Sequence, residues 1–304
     1  MEVGTEVLKR HVATAFAMHD VKQARRFLDS VVISSSALSE VNITPVTKEK
    51  FRGEWFVGKN LQTGVTVLYF HGGGYSFYPK SYDSFIALIA QAAKARIFAL
   101  DYRLSPEHRF PAQLEDALHA YRWLLETGVD ASNLVVGGDS AGGNLALALL
   151  LRARDSNLPL PALAVALSPP TDLETEYPSL AGNQDTDWID KPELLHWAVW
   201  FCDSAQLRDP LISPMWADLR GLPPIYIQAG SAEILYDSIR AFVNRAKSQG
   251  ADVVLEAWED MNHVFQMFGP DAPQSAEALR RIGEVIDLRL RKRKKMETVS
   301  TASL

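Results

Sequence analysis

Apolar residues along this chain follow two different periods. Some form short, nearly continuous runs: Thr66 to Phe70, Arg96 to Leu100, Leu134 to Gly138, Leu163 to Leu167, Ile225 to Gln228 and Val253 to Glu256. Such runs predict strands buried on both faces, where no polar side is needed. Between them, apolar positions recur at helical spacing in Ser84–Ala95, Ala112–Thr127, Ala141–Arg154, Ile234–Lys247 and Gln274–Leu290. Strands alternating with helices predict an α/β fold, a mostly parallel sheet covered by helices on both sides.

The two ends of the pattern differ. From Val7 to Val32, Leu8, Val12, Phe16, Phe27 and Val31 are spaced as on one or two amphipathic helices, with Lys9, Arg10, Lys22, Arg25 and Arg26 between them. Ser34-Ser35-Ser36 interrupts this, and Val41 to Trp55 reads as extended chain. Regularity lapses again between Pro169 and Pro224, where only Glu193 to Phe201 has a helical pattern. The segment from Arg289 to Lys295 holds six basic residues, which reads best as a solvated helix end.

The chemistry is concentrated at one junction. Gly138-Asp139-Ser140-Ala141-Gly142 ends a predicted strand and opens a predicted helix. A serine between glycines in that setting suits a sharp elbow: side chains two before and two after the serine would collide, and the hydroxyl is left exposed at the strand's carboxyl end. A serine needs a base to take its proton, and the base needs an acid to hold its tautomer. Of seven histidines, His11, His19, His119 and His196 fall in helical runs and His108 in a loop segment. His263 lies just beyond the last predicted strand, where a loop can carry it over Ser140. Glu233, on the loop after Ile225–Gln228, is the preferred acid, with Asp237 in reserve one helical turn on. Asp260, three residues before His263, suits a turn.

His71-Gly72-Gly73-Gly74 follows another predicted strand. Consecutive glycines let backbone N–H groups face a developing oxyanion, and the N–H of Ala141 adds a donor. Their spacing does not fit a dinucleotide-binding loop. No cysteine and histidine cluster has zinc spacing, so neither metal nor cofactor is expected.

Together, His71-Gly72-Gly73-Gly74, Asp101-Tyr102-Arg103-Leu104-Ser105-Pro106-Glu107, Gly138 to Asn144 and His263 resemble the hormone-sensitive-lipase-like branch of the α/β-hydrolases, its bacterial carboxylesterases in particular. The resemblance covers roughly residues 50 to 290. It implies an α/β-hydrolase fold, a mostly parallel eight-stranded sheet flanked by helices with a helical cap. It implies Gly73, Gly74 and Ala141 as oxyanion donors, Ser140 as nucleophile and His263 as base, with Asp101 and Arg103 as framework residues. The chain departs from the commoner Asp-Pro-Leu of the family at Glu233-Ile234-Leu235. The expected organisation is residues 1–50 as the N-terminal part of the cap, 51–170 and 213–290 as the catalytic core, 171–212 as the cap insertion and 291–304 as a basic, disordered tail.

Trp188, Trp197, Trp200 and Trp216 lie in or beside the insertion, and Tyr75, Phe77 and Tyr78 follow the glycine loop. Such aromatic walls suit an apolar group of limited size; Tyr75, Trp188 and Trp197 are the candidate substrate contacts. The expected reaction is hydrolysis of short- to medium-chain esters through an acyl-enzyme. Lactone or amide cleavage by the same triad is an alternative. A non-catalytic binding protein is another, against which His263 counts. Net charge of −6 argues against a nucleic-acid surface. A single cysteine, Cys202, permits no intrachain disulfide and suits a reducing compartment. With no signal-like start and no run of 18 uncharged apolar residues, a cytoplasmic protein without stable membrane insertion is expected. Its partner would be a small-molecule ester, with a homodimer possible.

Overall fold

The computed structural model describes residues 2–18, 20–31, 36–59, 61 and 64–301, without the side chains of 2–5, 16 and 292–301. His19, Ser34 and Ser35 lie outside the described residues. Among those described, one sheet is built from β1 (Val41–Thr47), β2 (Arg52–Gly58), β3 (Thr66–Phe70), β4 (Arg96–Asp101), β5 (Leu134–Asp139), β6 (Leu163–Leu167), β7 (Ile225–Gly230) and β8 (Val253–Trp258). Their order is β1-β2-β4-β3-β5-β6-β7-β8. The pairs β1–β2 and β2–β4 are antiparallel, and every other neighbouring pair is parallel.

The continuous apolar runs have a simple cause in this sheet. In β3, Val67 and Tyr69 face one core with α3 (Tyr82–Ala93) and α9 (Pro273–Thr301), while Leu68 and Phe70 face a second core with α4 (Ala112–Glu126) and α5 (Ala141–Asp155). Ala164, Ala166, Ile225 and Ile227 meet the opposite side of α5 and α8 (Tyr236–Ser248). Wedged between these two cores, α5 is buried at every position from Ala141 to Leu151. Removing a fully enclosed side chain there, such as Leu149 or Leu150, would cost about 2–5 kcal/mol. The helix that begins at the serine elbow is therefore enclosed on all sides over its first three turns.

Two elements differ from the expectation. Val41 to Trp55 is not one extended segment but a hairpin, turning at Lys48-Glu49-Lys50 with Lys48 N–H donating to the Phe51 carbonyl at 2.8 Å. Three consecutive charged residues were the available turn signal. Second, α9 continues as helix to Thr301, through residues 291–301 of the segment for which disorder was expected, and 302–304 lie outside the described residues. Arg, Lys, Met and Glu are good helix formers, and Arg289 pairs with Asp252 at 2.7 Å where the helix leaves the core.

The stretch between β6 and β7 contributes α6 (Pro178–Gly182) and α7 (Lys191–Phe201). The N-terminal α1 (Glu2–Phe16) and α2 (Val21–Asp29) pack through Ala15 and Ala24 onto Phe77, Trp197 and Trp200. Arg25 fastens α2 to the loops below, donating to the carbonyls of Ser76 and Ser105 at 2.8 Å each and pairing with Glu107. These helices lie over the carboxyl edge of the sheet, where the loops after β3, β5, β7 and β8 converge. Among the described residues no helix is long and apolar enough to cross a membrane.

Candidate active site

Ser140 occupies the turn between β5 and α5 with φ 50° and ψ −124°. That conformation costs an L-residue on the order of 1–3 kcal/mol and persists only where the surroundings enforce it. Here they do: Ser140 N–H donates to the Leu167 carbonyl at 2.7 Å, and its own carbonyl accepts from Asn144 at 3.0 Å. A Cβ on Gly142 would strike the carbonyl oxygens of Phe70 and His71, and one on Gly138 those of Gly142 and Phe70. The glycines are required by the closeness of β3 to the elbow.

His263 Nε2 lies 2.9 Å from Ser140 Oγ, and Nδ1 lies 3.1 Å from Glu233 Oε2. With its proton on Nδ1, the imidazole donates to the carboxylate and accepts from the serine hydroxyl. Burial of the ring and the carboxyl is nearly complete, His263 at 1% and Glu233 at 0% exposure. Burial lowers the pKa of His263, and the nearby charges of Asp187 and Asp139 oppose this. Burial raises that of Glu233, partly offset by the Ser168 hydroxyl and the Gly230 amide. The loops that carry Glu233 and His263 touch: a Cβ on Gly230 would collide with the Met261 carbonyl.

Asp237, the reserve acid, is elsewhere. Its carboxylate accepts from Ser179 N–H at 3.0 Å at the start of α6 and pairs with Arg240. Asp260 has φ 58° and donates its N–H to Ser231 Oγ, a turn role.

The glycine loop faces the serine. Gly73 and Gly74 have φ 89° and 58°. A Cβ on Gly73 would meet the Phe77 carbonyl, and one on Gly74 would lie 2.7 Å from the Trp197 ring. Among the described residues, the amides of Gly73, Gly74 and Ala141 have no protein acceptor. The loop's base is anchored by buried Asp139, which accepts from Gly72 N–H at 3.1 Å and from Tyr69 and Tyr82 hydroxyls at 2.7 and 3.0 Å. Burial raises the Asp139 pKa to about 6, against the pull of these donors. The His71 ring is stacked between Tyr78 and Tyr102, at 3.8 and 4.1 Å, and burial lowers its pKa to about 3. It is a neutral spacer, donating from Nδ1 to the Gly72 carbonyl at 2.7 Å.

Residues 67–267 match the model of a family described as alpha/beta hydrolase fold. The chain is 39% identical over 251 residues to an acetyl-hydrolase of Streptomyces hygroscopicus, covering 81% of this chain and 84% of that one. Among solved structures it is similar to an esterase from the bacterial hormone-sensitive lipase family, with a TM-score of 0.86, 35% identity and coverage of 94% and 98%. It is also similar to EstE5 soaked with p-nitrophenyl butyrate, with a TM-score of 0.85, 35% identity and coverage of 90% and 92%. The chain belongs to the α/β-hydrolase family, in its hormone-sensitive-lipase-like branch.

In this α/β-hydrolase the three candidate substrate contacts are placed differently. Trp197 stands beside Gly74 and lines two cavities that meet at Ser140. Trp188 lines one of them, and its indole N–H donates to the His263 carbonyl. Tyr75 borders the other, but its hydroxyl is taken up by Asn144 Oδ1 at 2.5 Å and its ring stacks on Phe201 at 3.8 Å. At 4% exposure Tyr75 is wall rather than hydrogen-bonding contact.

Two carboxylates of the hydrolase went unnoticed in the sequence. Asp139 sits inside the serine motif, where a charged residue at the end of a buried strand was a usable signal. Asp187 lies in the irregular insertion and had none. It is fully buried, with Oδ1 accepting from His263 N–H at 3.0 Å and Trp188 N–H at 2.8 Å, and Oδ2 from Ile234 N–H at 2.8 Å. One residue from the stretch between β6 and β7 thus ties the His263 loop to the Glu233 loop. Burial, with some repulsion from Glu233, raises its pKa to about 6. Among the described residues no cluster of three His, Cys, Asp or Glu side chains could hold a metal ion.

Proposed function

We propose that this serine ester hydrolase is a carboxylesterase of short- to medium-chain esters that works through an acyl-enzyme. Ser140 Oγ attacks the ester carbonyl as its proton passes to His263 Nε2, and the new imidazolium is stabilised by Glu233. The carbonyl oxygen becomes an oxyanion held by the amides of Gly73, Gly74 and Ala141; one such donor is worth on the order of 10²–10³ in rate. Collapse breaks the bond to the alkoxy oxygen, which takes the proton from His263 and leaves as alcohol. Water then attacks the acyl-serine, giving its proton to His263, and Ser140 recovers that proton as the acid departs.

The observation that carries this reading is the hydrogen-bonded chain from Ser140 Oγ through His263 to Glu233, at 2.9 and 3.1 Å, beside three amides without acceptors among the described residues. The acetyl-hydrolase relative and the butyrate ester soaked into EstE5 support a short acyl group. On this reading α1, α2 and residues 171–212 form the cap. Ser140→Ala should lower kcat on p-nitrophenyl butyrate by roughly 10⁴-fold or more with an unchanged melting profile. Retained turnover would move the nucleophile elsewhere.

A further inference from the structure

Two cavities open from Ser140, and they are unequal. The larger, about 110 Å³, is lined by Ser140, His263, Val264, Trp188 and, from the N-terminal helices, Val12 and Leu28. The smaller, about 30 Å³, is lined by Ser140, Ala141, Leu173, Leu194, Phe201 and Leu235 and does not reach His263. Gly74, Ile189 and Trp197 border both, so the Trp197 ring, lying against Gly74, stands between them. Among the described residues, neither cavity has an Asp, Glu, Lys or Arg in its wall.

The chemistry assigns the two sides. The leaving oxygen must take its proton from His263 Nε2, so the alcohol departs on the histidine's side of Ser140. The acyl group, still bonded to Oγ, must lie on the other. We propose, resting on the carboxylesterase reading, that the larger cavity holds the alcohol and the smaller the acyl chain. The favoured substrates are then esters of short acids, acetyl to butyryl, with bulky uncharged apolar alcohols.

Size sets the limits. A water-sized group needs about 10–15 Å³ of such space. The smaller cavity therefore takes about two or three groups beyond the carbonyl carbon, and the larger about seven to eleven. Phe201 and Leu235, at 2% and 3% exposure, back the acyl side and have little room to yield. In a tight apolar pocket a single misfit methylene changes rate by about 10-fold or more.

The test uses two ester series on the purified protein: p-nitrophenyl esters from acetate to octanoate, and acetates from ethyl to hexyl and benzyl alcohol followed by proton release. The expected result is that kcat/KM falls at least about tenfold from butyrate to octanoate, while it rises from ethyl to hexyl acetate. Leu194→Ala, and independently Leu173→Ala, should raise the octanoate-to-acetate ratio by about tenfold and leave the order of the alcohol series unchanged. Octanoate cleaved as well as butyrate, acetates that worsen as the alcohol grows, or two folded variants that leave the acyl ratio unmoved would each overturn the assignment. Those outcomes require turnover that Ser140→Ala abolishes. If no ester is cleaved at all, the carboxylesterase reading fails first and takes this inference with it.

Discussion

Asp187→Asn removes one negative charge from the junction of the His263 and Glu233 loops while keeping the side chain's shape. Two opposing terms follow from the contacts. Burial lifts the Asp187 pKa from near 3.8 to about 6, so holding it ionised at neutral pH costs about 3 kcal/mol, which the amide avoids. Against this, asparagine has one carbonyl oxygen where the carboxylate has two. If that oxygen stays with His263 and Trp188, its NH₂ faces Ile234 N–H and leaves a buried donor unpaired, costing about 1–3 kcal/mol. The terms are similar in size, so stability should change little, with a melting temperature within a few degrees of wild type. Activity should not be spared. Loss of the tie to Ile234 lets the Glu233 loop shift against His263, and a misplacement of about 1 Å can cost about 10²-fold. The lost charge also stops supporting the His263 imidazolium, so the acid limb of kcat/KM should move to lower pH. Circular dichroism melts and pH profiles on p-nitrophenyl butyrate would measure both. A variant with kcat/KM within about twofold of wild type and an unmoved acid limb would refute the reasoning.

Other outcomes follow from the same geometry. Glu233→Ala should reduce kcat by at least about 10²-fold more than Asp237→Ala, because Asp237 serves α6 and Arg240 rather than His263; the reverse ranking would exchange the acid. Since His263 must be neutral to accept a proton and burial lowers its pKa from the usual 6.5, activity should fall only as pH drops through a midpoint below 6.5; a midpoint at or above 6.5 in kcat/KM would contradict this. Gly142→Ala should yield little folded protein, because the added methyl would overlap the Phe70 carbonyl oxygen; a soluble, native-like variant would show the elbow to be looser than drawn.

Much of the fold was legible because its strands are enclosed on both faces. Val67 and Tyr69 serve one core and Leu68 and Phe70 the other, and that requirement writes itself into local composition. The hairpin of β1 and β2 was less clear, since β1 is mostly exposed and its pattern correspondingly weak. Ser140, His263 and Glu233 could be singled out because each lies directly after a legible strand, and strand ends in a parallel sheet share one edge. Asp187 could not, since the insertion has no period from which to place a side chain.

The sequence by itself determined the order of strands and helices and the glycines of the elbow and loop, because those are demands of backbone sterics and burial that act over a few residues. Only the tertiary structure decided that Asp187 joins two distant loops, that Tyr75 is committed to Asn144, and that the space on one side of Ser140 exceeds that on the other. Each of these depends on how elements far apart in the chain close against one another. Packing of that kind is settled by shapes meeting in three dimensions and leaves no period along the chain.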